Sequence, residues 1–113
     1  MQIALVAELR QRVIPPARLW FVPNGGNLSR VQRGQFRDMG LTAGVHDLHF
    51  IWNDPCPQYA TIELKYGKGG TTDGQDDFSR DLTLCGHRTA VCWSRDDAMD
   101  TLTRWGFPLR RAI

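Results

Sequence analysis

Asp47, Glu63 and Lys65 are the residues whose types and spacing point to chemistry. Glu63 and Lys65 stand two apart in "YATIELKYG", residues 59–67, where Tyr59, Thr61, Glu63 and Lys65 alternate with Ala60, Ile62, Leu64 and Tyr66. Period two puts the carboxylate and the ammonium on one face of a strand, with Ile62 and Leu64 on the other. An isolated Glu-x-Lys in a strand is most often a salt-bridged surface. The stretch "GVHDLHFIW", residues 44–52, changes that weighting. Strands over 47–53 and 58–65, joined by the turn "NDPCP", run antiparallel and bring Asp47 beside Glu63 and Lys65. Two close carboxylates repel, which raises the pKa of one unless they share a cation. Mg²⁺ takes carboxylate, carbonyl and water oxygens, and Asp47, Glu63 and the backbone carbonyl of Leu64 supply such a half-shell. An ion held there polarises a phosphodiester and lowers the pKa of a bound water. Lys65 beside it would orient that water or neutralise charge developing on phosphorus.

The elements that must position these groups follow from periodicity and punctuation. Ile3, Val6, Ala7 and Arg10 follow a helical spacing, extended by Leu5 and Leu9, and predict a helix over 2–13 that Pro15 and Pro16 stop. "RLWFV", residues 18–22, is a strand, and "PNGGN", residues 23–27, is a turn. Ser29 and Gln32 form a capping box for a helix from Ser29 to Met39, closed by Gly40. After the two central strands, the Gly-rich "GKGGTTDG" leads to a helix over 74–85 that Gly86 ends. "RTAVCWS" is a further strand, and Ser94 with Asp97 caps a last helix to Trp105. The order is α-β-α-β-β-α-β-α, which implies an α/β domain with a mixed central sheet flanked by helices.

The 113 residues make one domain, 1–113, without repeats or low-complexity tracts. Hydrophobic residues at 42% and charged residues at 23% exclude wholesale disorder, and a net charge of +2 excludes a polycation. Basic residues cluster locally instead, as Arg30, Arg33 and Arg37 and as Lys65 and Lys68. Cys56, Cys85 and Cys92 are odd in number and contain no CxxC, which argues for reduced thiols rather than a disulfide framework or zinc knuckle. "MQIALVAELRQRV" lacks the features of a signal peptide, and no segment reaches the length of a membrane span. A cytoplasmic protein, with no membrane partner, is expected.

D-(x15)-E-x-K across two strands resembles the core of the PD-(D/E)xK nucleases. "PNGGN", the basic helix leading into "MGLTAGVHDL", "IELKYGKGG" and Gln75 in the next helix are more specific. Together they resemble the VRR-NUC branch of that superfamily, over about residues 20–94 and in the right order. The same module forms the nuclease domain of the Fanconi-anaemia-associated nuclease. The resemblance implies a restriction-endonuclease-like fold and a Mg²⁺- or Mn²⁺-dependent endodeoxyribonuclease without an organic cofactor. For small standalone members, in bacteria or phage-infected cells, it implies a Holliday-junction resolvase acting on branched DNA as a homodimer. Asp47 and Glu63 then match the metal-binding acids, Lys65 the motif lysine and Gln75 the glutamine of the following helix. Glu8 falls where the superfamily often has a further acid near the metal. A flap- or single-strand-directed nuclease on the same core is the alternative enzyme, and a non-catalytic DNA-binding module the alternative from another class. One departure is His46, which stands where the family usually has proline and cannot fix the backbone as proline does.

Other residues carry two readings. Thr72 and Gln75 also read as a capping box, which would compete with a role in the site for the same amide group. His46 and His49 are expected on opposite faces of the strand, which argues against zinc, with His49 a bystander on the face of Asp47. Asn24, Gly25 and Gly26 offer backbone N–H groups for a phosphate, or form only a turn. Arg30, Arg33, Arg37 and Lys68 are candidates for contacts to the DNA backbone, or a solvated face. Trp52, Trp93 and Trp105 are assigned to the core or a subunit interface.

Overall fold

The computed structural model describes residues 1–23, 29–39 and 44–112, apart from the side chains of Arg33 and Phe36. The candidate phosphate turn Asn24, Gly25 and Gly26, the helix stop at Gly40 and the side chain of Arg33 therefore lie outside the described residues. The chain runs α1 (Gln2–Arg12), β1 (Arg18–Phe21), α2 (Arg30–Asp38), β2 (Leu48–Asn53), β3 (Pro57–Leu64), α3 (Asp73–Leu84), β4 (Arg88–Cys92) and α4 (Arg95–Trp105). It is an α/β arrangement around a four-stranded mixed sheet of order β1-β2-β3-β4. β1, β2 and β3 are successively antiparallel, while α3 carries the chain back so that β4 runs parallel to β3. None of the helices among the described residues is long and apolar enough to cross a membrane.

The core lies on the face of the sheet that carries the even-numbered side chains of β2 and β3. Leu48, Phe50, Trp52, Ala60, Ile62 and Leu64 pack there with Leu5 and Leu9 of α1 and Ala98, Met99 and Leu102 of α4. Phe107 closes the far end edge-on against Phe50 and Trp52, at centroid distances of 5.2 and 5.4 Å, an arrangement that aromatic quadrupoles favour. Of the apolar side expected from Ile3, Val6, Ala7 and Arg10 with Leu5 and Leu9, the two leucines and Val6 meet the core, whereas Ile3, Ala7 and Arg10 face outward. Ile3 is 89% exposed, while Leu5 and Leu9 are fully inside. A helix with apolar residues at positions 3 to 7 and 9 offers more than one rotation, and packing selects the one that buries both leucines.

α3 covers the opposite face, where odd-numbered residues point. Alternation alone would leave that face half wet, yet Thr61 and Glu63 are as buried as the apolar residues between them. The polar atoms buried there need partners, and α3 and the segment before β2 supply them. Gly44 lets the two come together: its φ is +80° and a Cβ there would lie 2.1 Å from the carbonyl oxygen of Gly74. Gly44→Ala is expected to cost about 2–3 kcal/mol, from positive φ and backbone overlap together. Urea denaturation checks this, and an unchanged midpoint would show that the loop does not pass so close.

Candidate active site

The last ladder pair between β2 and β3 is Leu48 with Ile62, so Asp47 and Glu63 face each other one step beyond it. Each strand end clasps the other's carboxylate. The Asp47 amide donates to Glu63 Oε2 at 3.1 Å, and the Leu64 amide donates to Asp47 Oδ2 at 3.1 Å. Lys65 continues β3, its amide donating to the Cys92 carbonyl at 2.9 Å, and its Nζ lies 3.6 Å from Glu63 Oε1. The hairpin and a two-residue step thus place two acids and one cation together.

Gln75 completes the group from the first turn of α3. Its Nε2 donates to Glu63 Oε1 at 2.6 Å, and its Oε1 accepts from Lys65 Nζ at 2.7 Å. The same Oε1 accepts from the Thr72 amide at 3.0 Å, while Thr72 Oγ1 accepts from the Gln75 amide at 3.2 Å, a complete capping box. The expectation that one amide group could not both cap the helix and contact the neighbouring residues is therefore corrected. A carbonyl oxygen has two lone pairs and the amide nitrogen is a separate donor, so one side chain caps α3, anchors Lys65 and holds Glu63.

Burial sets the electrostatics. Removal from water pushes the Glu63 carboxyl up to about 6, helped by the Asp47 charge and opposed by Lys65 and the Asp47 amide. Asp47 is raised as well, again mainly by burial, against the Leu64 amide and the Lys65 charge. Two carboxylates taken out of water side by side both hold a proton more tightly, and for the same reason they favour a cation brought between them.

His46, directly ahead of Asp47, is tied into the fold through its ring. It is completely buried, with Nδ1 2.9 Å from Thr61 Oγ1 and 3.1 Å from Thr89 Oγ1, and Nε2 2.9 Å from Ser79 Oγ. Nε2 is also 3.4 Å from the carbonyl oxygen of Gln75. The ring ties the segment ahead of Asp47 to β3, β4 and α3 by hydrogen bonds, where proline would act through a fixed φ. Burial lowers its pKa, which keeps it neutral at physiological pH. His49 sits on the same face and not the opposite one: it meets Tyr59 Oη and the His46 carbonyl and stacks on Trp20. Alternation fails for His46 because the residue precedes the strand. Thr61, Thr89 and Ser79 were not singled out from sequence. The signal was there for two of them, as hydroxyls at inward positions of otherwise apolar strands.

Glu8 is held by two arginines. Arg95 and Arg12 hold its carboxylate, Arg95 through Nε and Nη2 to Oε1 at 3.0 and 2.6 Å, and Arg12 through Nη1 to Oε2 at 2.8 Å. No group of three or more His, Cys, Asp or Glu residues able to hold a metal is found among the described residues. Two carboxylates with a neighbouring carbonyl still suit Mg²⁺, which usually takes one or two protein carboxylates and keeps several waters. Arg30, Arg37 and Lys68 are exposed. Trp52 is buried and Trp105 packs against the core, whereas Trp93 is half exposed.

No family model, curated protein or solved structure matches this chain.

Proposed function

We propose that this chain is a Mg²⁺- or Mn²⁺-dependent endodeoxyribonuclease of the restriction-endonuclease-like fold, similar to the VRR-NUC nucleases. The observation that carries the reading is the partly buried group of Asp47, Glu63 and Lys65 at two adjoining strand ends, joined by Gln75 of α3, with both carboxyls pushed up by burial. Asp47, Glu63 and the Leu64 carbonyl would hold the ion. When bound, it would supply the positive charge that polarises a phosphodiester and acidifies a water. The chain's own contribution is positional. Gln75 fixes the Lys65 ammonium beside the acids, where it neutralises charge building on phosphorus or orients the attacking water. The preferred substrate is branched DNA, a Holliday junction cut by a homodimer, because symmetric incision of a four-way junction needs two sites related by a two-fold axis.

A gel assay on junction, flap, duplex and single-stranded DNA, with Mg²⁺, Mn²⁺ or EDTA, tests the proposal. Metal-dependent cutting of the junction in preference to the other substrates is the expected result. Preference for flaps or single strands would move the substrate while keeping the chemistry. Binding without cutting in either metal would leave a DNA-binding module.

A further inference from the structure

Away from the acidic group, the end of α1, the start of α4 and the segment 110–112 enclose a cleft of about 370 Å³. Arg12, Arg95, Arg110 and Arg111 line it, against the single carboxylate of Glu8. Asp96, on the rim, pairs with Arg95 Nη1 at 2.7 Å and still leaves guanidinium groups in excess. The cleft is built from backbone as well as charge. Leu109 bridges to Val13, the Arg110 amide donates to the Arg12 carbonyl at 2.6 Å, and Arg12 Nε donates to the Arg110 carbonyl at 2.8 Å. Arg110 and Arg111 form no ion pair among the described residues. Guanidinium forks of this kind match carboxylate and phosphate oxygens in pairs, and Arg95 already grips Glu8 in that way.

The cleft's position selects among phosphates. Arg95 follows Cys92 by three residues, and Cys92 pairs with Leu64 beside Lys65. Three residues span at most roughly 11 Å and neighbouring strands lie about 4.8 Å apart, so the Arg95 backbone is within roughly 16 Å of Leu64. That is about five base-pair steps of duplex at ~3.4 Å each. We propose that the arginine cleft binds a backbone phosphate of the DNA strand cut at Asp47 and Glu63, a few nucleotides from the scissile bond. This rests on the nuclease reading. Glu8 is the internal competitor for the same forks.

The test is fluorescence anisotropy of labelled duplex and four-way junction in EDTA, over a range of salt, beside a Mg²⁺ cleavage assay. Arg111 is exposed and outside every ion pair found among the described residues, so Arg111→Ala is expected to keep the wild-type melting temperature. It is expected to bind several-fold more weakly, with a salt slope smaller by about one. Arg95→Ala is expected to weaken binding likewise, and Glu8→Gln to tighten it several-fold by removing the competing charge. Unchanged affinity and salt slope in both arginine variants would overturn the proposal, as would a wild-type protein that binds neither DNA. Stabilisation by inorganic pyrophosphate that needs Arg111, with DNA binding indifferent to it, would overturn the assignment to DNA. Wild-type protein that binds through these arginines but cuts nothing would defeat the nuclease reading and leave the cleft standing.

Discussion

Lys65→Ala is expected to slow Mg²⁺-dependent DNA cleavage roughly a hundred- to a thousandfold, with DNA affinity and melting temperature near wild type. The magnitude is that of removing one preorganised charge or donor from a transition state. Little structure should follow it. Lys65 is partly exposed, and Gln75 Oε1 keeps the Thr72 amide as a donor when the ammonium is gone, so α3 remains capped. Glu63 keeps the Gln75 amide and the Asp47 amide. The loss is therefore of charge at one point, and single-turnover cleavage with saturating enzyme reads it apart from binding. A Lys65→Ala protein that cuts at the wild-type rate would remove the lysine from the mechanism and leave the carboxylates to be explained otherwise.

What could be read from the sequence divides along physical lines. Strand pairing was legible, because "NDPCP" makes a short antiparallel return and period two then sets the partners. Asp47 opposite Glu63 follows from that alone. The Ser29–Gln32 and Thr72–Gln75 caps were legible too, since a capping box is a local contest between side chain and backbone. Contacts between distant segments were not. Glu8 lies 87 residues from Arg95, and no spacing rule connects the two. The rotation of α1 depended on which apolar stripe the sheet would accept. His46 misled because it stands one residue before Asp47 and two before β2, where alternation does not yet operate. Its burial follows from the close approach of Gly44 to Gly74, a tertiary event.

Mg²⁺ is expected to raise the melting temperature more at pH 7 than at pH 5, and Asp47→Asn to raise that of the metal-free protein. Glu63 goes from an ordinary value of 4.5 to about 6 in the fold. A folded pKa above the unfolded one means that the proton stabilises the fold. That contribution is complete below 4.5 and is lost as pH rises through about 6, a loss of about 2 kcal/mol by neutral pH. Asp47 is shifted in the same direction. His46 and His49 oppose them. Their folded values lie below 6.5, so their contribution is present above that pH and lost as pH falls. A pH curve of the wild type alone would mix the two trends, whereas the difference made by Mg²⁺ isolates the acids, because the ion binds the ionised pair. The amide introduced by Asp47→Asn would keep an acceptor for the Leu64 N–H while removing the charge that helps to raise Glu63. In EDTA at pH 7 the variant should gain about 1 kcal/mol, a few degrees in melting temperature. The Mg²⁺ shift and cleavage should both disappear, which is the usual exchange of stability for activity at such sites. An Asp47→Asn protein that melts lower in EDTA and still gains from Mg²⁺ would mean that the two carboxylates are not where the ion sits.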